Sequence, residues 1–196
     1  MERCFVLAVS SPPSAAAAKS RVAAGLALAL AETEHPRILL VEGNFHAPAV
    51  HRLMHVDVPL PIGFSQQLHS RIRPGPERPW QVVGCSPSLH VIPESVMRSP
   101  GMILSKQFEA SLRELRSYYD VIVLDAPDTS FEFDCRALDS LADGLLLVCN
   151  QGEGEESPEV QAAAGLFSQK RFSTVVVAPS SAGAEPNAAA ANAARS

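Results

Sequence analysis

Residues 4–20 read CFVLAVSSPPSAAAAKS, an apolar run that breaks at a serine–proline cluster and then enters an alanine-rich stretch. The run 4–9 (CFVLAV) is short, continuous and bounded by turn residues, the pattern of a strand buried on both faces of a sheet. Residues 15–32 are rich in Ala and Leu, with Val22, Leu26, Ala29 and Leu30 recurring at helical spacing, and predict the first helix. The junction between a first strand and a first helix is where a phosphate-binding loop, G-x-x-x-x-G-K-[ST], would lie. Only its last two residues are present, as Lys19 and Ser20; the glycine positions are Pro13 and Ala18. Glycines let such a loop take φ > 0 and turn several N–H groups toward the phosphates, and proline has no N–H to give. The stretch therefore implies a nucleotide-binding architecture with a damaged nucleotide site.

Outward from that junction, strand-like and helix-like runs alternate. Residues 37–41 (RILLV) predict the second strand, and 47–54 a short helix behind Gly43 and Asn44. The segment 57–88 is Pro-rich and weakly patterned; only 64–72 resembles a helix, and the whole reads as surface elaboration. Residues 89–92 predict a strand, followed by a helix whose Leu104, Phe108, Leu112 and Leu115 form an apolar stripe. Residues 121–124 (VIVL) place Asp125 at the C-terminal end of a strand, the ligand-binding edge of an open parallel sheet. A helix over 134–141, a strand over 144–148, a helix over 158–170 and a strand over 174–177 complete the series. Such alternation means a parallel sheet with right-handed crossovers. The expected architecture is α/β, a three-layer sandwich with a mostly parallel central sheet flanked by helices, in one domain over 1–179. Residues 180–196 carry no apolar pattern and are expected to be a disordered Ala-rich tail.

Composition narrows the function classes. A chain of 196 residues, 46% of them hydrophobic, can bury one sizeable core. A net charge of −5 argues against an electrostatic grip on nucleic acid, which needs clustered Lys and Arg. No apolar run approaches the roughly 20 residues of a membrane span, and no signal-peptide pattern is visible, so a cytoplasmic location is expected. Cys4, Cys85, Cys135 and Cys149 are widely spaced without a C-x-x-C pair, which predicts reduced, mostly buried thiols.

Four pieces, in order, carry a family resemblance: SSPPSAAAAKSRVAAGLALALA, ILLVEGNFHAPAVHRLM, LHVIPESVMRSPGMILSKQFEASLRELRSYYDVIVLDAP and LADGLLLVCNQGE. Over roughly residues 3–178 they resemble the ATPase domain of bacterial tyrosine kinases of the capsule and exopolysaccharide type. That group is a branch of the deviant P-loop ATPases that also holds the chromosome-partitioning and septum-site proteins. The resemblance implies a P-loop NTPase-like fold, with Lys19 and Ser20 at the vestigial ATP site and Ser20 and Asp125 at the magnesium site, should nucleotide bind. It places the Walker B aspartate at Asp125. The second acidic motif falls on residues 42–46 (EGNFH), where Glu42 keeps the first acid and Asn44 replaces the second, a weaker ligand for a hard dication. Asp125 and Asn44 stand where the family has catalytic groups. The family's tyrosine cluster has no counterpart, since the two tyrosines, Tyr118 and Tyr119, lie inside the domain. The family's upstream oligomerisation helix is also not seen before the first strand.

Each retained residue has a plainer alternative. Ala15–Ala18 favour helix, so the helix could start one turn early, capped by Ser14, and fill the phosphate position. Lys19 would then be a solvated helical lysine, and Asp125 either a magnesium ligand or a structural acceptor. His51 and His55 are spaced i, i+4, but without a third ligand they read as helix residues and not a metal pair. Residues 153–156 (EGEE) read as a solvated loop, with repulsion of a nucleotide as the lesser alternative. Phosphoryl transfer depends on loop amides, lysine and metal. Their loss leads to the first expectation, a catalytically impaired regulatory or scaffolding protein of exopolysaccharide or capsule biosynthesis, with no cofactor. The family resemblance implies its partners: a paralogous active tyrosine kinase or a membrane polysaccharide co-polymerase, which would also bring it to the inner membrane. The alternative is a weak Mg-ATP-dependent ATPase or tyrosine kinase using Lys19, Ser20 and Asp125. A positioning ATPase of the partitioning type fits less well, because the signature lysine of that type would fall on Ser14.

Overall fold

The computed structural model describes residues 4–33, 37–57, 63–72, 78–94, 103, 106–151, 153, 156–167 and 172–177. Among these residues seven strands form one sheet: β1 (Phe5–Ser10), β2 (Ile38–Glu42), β3 (Val83–Gly84), β4 (Leu89–Ile92), β5 (Val121–Asp125), β6 (Gly144–Asn150) and β7 (Phe172–Val177). Their spatial order is β3-β4-β2-β5-β1-β6-β7; the pairings are parallel except for the short edge strand β3, which runs antiparallel to β4. The helices are α1 (Ala16–Ala31), α2 (Val50–Leu53), α3 (Phe64–Ser70), α4 (Lys106–Leu115), α5 (Glu132–Leu141) and α6 (Pro158–Gly165). The α/β three-layer sandwich is therefore present. Residues 180–196, Leu104 and the distal part of the 158–170 helix lie outside the described residues.

Alternating strand residues divide the core in two. Val6, Ala8, Leu39, Val41, Ile122 and Leu124 face α3, α4 and α5, around the ring cluster of Phe45, Phe64 and Phe108. Val9, Ile38, Leu40, Val91 and Val123 face α1 and α2 on the other side. Strands buried on both faces explain why their sequences are continuous apolar runs and not alternating ones.

Two expectations are corrected here. The core face of α1 is not the larger-residue set of Val22, Leu26, Ala29 and Leu30: the buried residues are Lys19, Ser20, Ala23, Ala24 and Ala27, and Ala29 is exposed. Small side chains let the helix lie close on the sheet, while Val22 and Leu30 pack from the flanks. The segment 57–88 is not only surface elaboration, because Phe64 and Leu68 of α3 are fully buried and close the core over β4. The helix itself was expected over 64–72; its burial was not, because one short helix in a Pro-rich stretch carries no sign of what it packs against.

Candidate functional site

The C-terminal ends of β1, β2 and β5 meet at one edge. Asp125 stands in register with Val9 on one side and Glu42 on the other. Lys19 and Ser20 approach it from the first turn of α1. The Lys19 ammonium lies 2.9 Å from Asp125 Oδ1, and the Ser20 hydroxyl donates to Oδ2 at 2.7 Å. Lys19 and Asp125 are fully buried and Ser20 nearly so, which rules out the solvated-lysine alternative. A buried ion pair is tolerated only where further hydrogen bonds complete it, and Ser20 supplies that bond, its Oγ also lying 3.4 Å from Lys19 Nζ. The three residues that the sequence singled out are thus brought together, and each binds another of the set. No oxygen of Asp125 is left free of this chain's own donors.

The chain leading into α1 winds early. Residues Pro13–Ala15 form a 3₁₀ turn, with proline at its first position, where the missing N–H costs nothing. Ala15 N–H donates to Pro12 O at 3.1 Å and Ala16 N–H to Pro13 O. Two amides that a phosphate cradle would turn outward are therefore used inside the turn. Ser14 is not the expected N-cap, because the earlier winding places it within the turn; α1 starts behind Ala15 without a side-chain cap. Its hydroxyl instead donates to Glu153 Oε2 at 3.2 Å and Glu159 Oε2 at 3.3 Å. Asn150 Nδ2 donates to Ser14 O at 2.9 Å, and Asn150 N–H to Glu153 Oε2 at 3.0 Å. Glu153 is thus part of a clasp over the turn and not simply a solvated loop acid. A cleft of about 360 Å³ opens beside Pro13 and Ser14; among the described residues that line it, the charged ones are Glu132 and Glu159.

The loops after β1 and β5 are also tied to each other. Ser10 Oγ donates to Pro127 O at 2.7 Å, Ala126 N–H to Val9 O at 2.9 Å and Thr129 N–H to Ser11 O at 2.9 Å. Glu42 is buried, and its two oxygens accept from Val50 N–H at 2.6 Å and Glu94 N–H at 2.9 Å. Burial pushes its carboxyl above the usual range, partly opposed by those two amides. Asn44 closes its own turn: Nδ2 donates to Ala47 O at 3.0 Å, and Ala47 N–H to Oδ1 at 3.4 Å. Neither residue of the EGN motif points a free oxygen at Asp125. His51 Nδ1 lies 3.5 Å from Glu42 Oε2, whereas His55 sits beyond the end of α2 at φ 50° and is exposed, so the two do not share a helix face.

A pair that sequence reading did not find lies alongside. His46 Nε2 is 2.8 Å from Asp134 Oδ2, and its ring stacks on Phe131 at 3.5 Å. No local spacing signals a contact between residues 88 positions apart. Next to Asp134, Phe133 is 79% exposed on α5. All four cysteines are free thiols; Cys4, Cys135 and Cys149 are buried and Cys85 exposed, as expected, and burial pushes the Cys135 thiol up to about 12. Among the described residues no helix is long and apolar enough to cross a membrane.

A parallel sheet with a lysine–serine pair entering the first helix and an aspartate at the end of a neighbouring strand defines a P-loop ATPase-type α/β fold. Solved structures with this fold are bacterial tyrosine-kinase domains and MinD/ParA-type ATPases. The VpsO kinase domain is 23% identical, with a TM-score of 0.72, covering 89% of this chain and 84% of that one. The kinase domain of the Escherichia coli tyrosine kinase ETK is 17% identical, with a TM-score of 0.72, over 94% and 72%. MinD in the MinC:MinD cell division complex of Aquifex aeolicus is 18% identical, with a TM-score of 0.68, over 88% and 68%. No family model matches the sequence, and no curated protein does. The resemblance seen in the sequence thus holds for the fold.

Proposed function

We propose that this chain is a catalytically impaired relative of the bacterial tyrosine kinases, acting as a regulatory or scaffolding protein in exopolysaccharide or capsule biosynthesis. The observation that carries this reading is the closed Lys19–Ser20–Asp125 triad. A magnesium nucleotide does not fit the arrangement: Lys19 is committed to Asp125, two loop amides are spent, and the charged side chains among the described residues of the adjoining cleft are Glu132 and Glu159, which repel phosphate. With nothing to share the metal, Ser20 and Asp125 would hold magnesium poorly. Asn44, turned into its own loop, adds no acid. The protein then works through its surface, on a paralogous active kinase or on a membrane polysaccharide co-polymerase, in the cytoplasm and at the inner membrane only through such a partner. No nucleic-acid role is proposed.

One observation favours a second reading. Lys19, Ser20 and Asp125 still lie within hydrogen-bonding distance of one another, so rotation of Lys19 and unwinding of residues 13–15 would recreate a weak Mg-ATP site for an ATPase or tyrosine kinase. The two readings separate in a phosphate-release and phosphotyrosine assay with Mg-ATP. The first expects no turnover above buffer, together with an altered rate when the chain is added to an active paralogous kinase. Turnover that Ser20→Ala abolishes would establish the second.

A further inference from the structure

The unwinding of residues 13–15 that would reopen the edge is opposed from outside the turn. We propose, on the basis of the impaired-site reading above, that Asn150, Glu153 and Glu159 form an autoinhibitory latch that holds Pro13–Ala15 wound over the phosphate position. The turn has little of its own to hold it: neither the 3₁₀ turn nor α1 has a side-chain cap, and neither carries an acid in its first turn. A helix start of this kind is favoured by negative charge supplied from elsewhere. The far side of β1 supplies it. The pairing of Leu147 with Ser10 sets the C-terminal end of β6 beside the loop after β1. There the Ser14 hydroxyl meets Glu153 Oε2 at 3.2 Å and Glu159 Oε2 at 3.3 Å, while Asn150 Nδ2 donates to Ser14 O at 2.9 Å. In a nucleotide site the N-terminal end of the helix faces a phosphate; here two of this chain's own carboxylates stand against the turn that leads into it.

The latch is preformed and also reversible. Asn150 N–H donates to Glu153 Oε2 and Glu153 N–H returns to Asn150 O, each at 3.0 Å, so the two residues fix one another. Glu159 sits in the first turn of α6, whose start is set by Pro158 and by Ser157 Oγ accepting from Val160 N–H at 3.2 Å. Ser14 is exposed, and its hydroxyl has one proton for two carboxylates that repel each other. The Lys19–Ser20–Asp125 triad, by contrast, is buried. The latch is therefore the part of the closure that can open without disturbing the core.

The test compares the natural protein with Asn150→Ala/Glu153→Ala/Glu159→Ala, and with Glu109→Ala/Glu114→Ala as a control that also removes acids, but from α4. In the latch variant, hydrogen exchange at the Ala15 and Ala16 amides, which close the turn on Pro12 O and Pro13 O, should speed up about tenfold while Ala23 and Ala24 keep their rates. Calorimetry with Mg-ATP should then show saturable binding in the millimolar range, where the natural protein and the control show none. Exchange at Ala15 and Ala16 within about twofold of the natural rate, no Mg-ATP heat from the folded latch variant, or an equal gain in the control would overturn the latch and leave the impaired-site reading standing. Mg-ATP binding by the natural protein would overturn both. Should the triple variant fail to fold, Asn150→Ala alone takes its place, with about threefold faster exchange at Ala15 and Ala16 expected and an unchanged rate overturning the latch.

Discussion

Lys19 is a buried cation whose position is decided by Asp125, so at this residue function and stability are the same question. Removing the ammonium leaves Asp125 buried with only Ser20 to hold it. Lys19→Met is therefore expected to lower the unfolding free energy by about 3–5 kcal/mol in urea denaturation. In Lys19→Met/Asp125→Leu the loss should be smaller than the sum of the singles by more than about 1 kcal/mol, the signature of a coupled pair; additivity would mean that the two do not interact. A second residue-scale prediction concerns Gly43, whose N–H donates to Asp125 O at 2.9 Å. A Cβ there would sit 2.7 Å from Leu124 Cδ1 and 3.2 Å from Asp125 O. Gly43→Ala should cost about 1–3 kcal/mol by overpacking, measured as a shift of the urea midpoint. The identities of Lys19, Ser20 and Asp125 were legible in the sequence because the motif around them survives in part. Their pairing with one another was not, since a motif names positions and says nothing about which groups will satisfy each other when a ligand's partners are missing.

At the scale of elements, α1 shows where periodicity misleads. Its largest hydrophobes mark the flank, and the contact with the sheet is made by Ala23, Ala24 and Ala27. Alanine carries too little side chain to register as a stripe, yet it is what allows a helix to approach a sheet closely. Ala27→Leu should therefore destabilise by about 1–3 kcal/mol, while Leu28→Ala on the exposed side stays within about 0.5 kcal/mol, both read from thermal or urea unfolding. A reversal of that order would return the core face to the larger residues. The strands were legible for the opposite reason: β1, β2, β5 and β6 are buried on both faces, so each appears as an unbroken apolar run closed by a turn signal. The seven-residue α3 was read as a helix from 64–72, but its place in the core was not, because the phenylalanines it meets, Phe45 and Phe108, are brought to it only by the folded chain.

At the scale of the whole molecule, the ligand-binding edge of the sheet is closed by this chain's own groups: a triad at Asp125, a clasp at Ser14 and two backbone-anchored oxygens on Glu42. Glu42 gives this closure a pH signature. Its carboxyl is raised in the folded state, so the native protein holds a proton that the unfolded chain has lost between the usual carboxylate range and the raised value. Its contribution to stability is full below that window and falls as pH rises through it. Urea titrations from about pH 4 to about pH 7 should show the advantage of the natural protein over Glu42→Gln shrinking with rising pH; a constant difference would mean that Glu42 titrates alike in both states. The most direct measurement is a calorimetric titration of the folded protein with ATP and ADP, with and without magnesium, into the millimolar range. A closed edge predicts no saturable heat under any of these conditions. Magnesium-dependent binding that Ser20→Ala removes would contradict it and establish Lys19, Ser20 and Asp125 as a working nucleotide site.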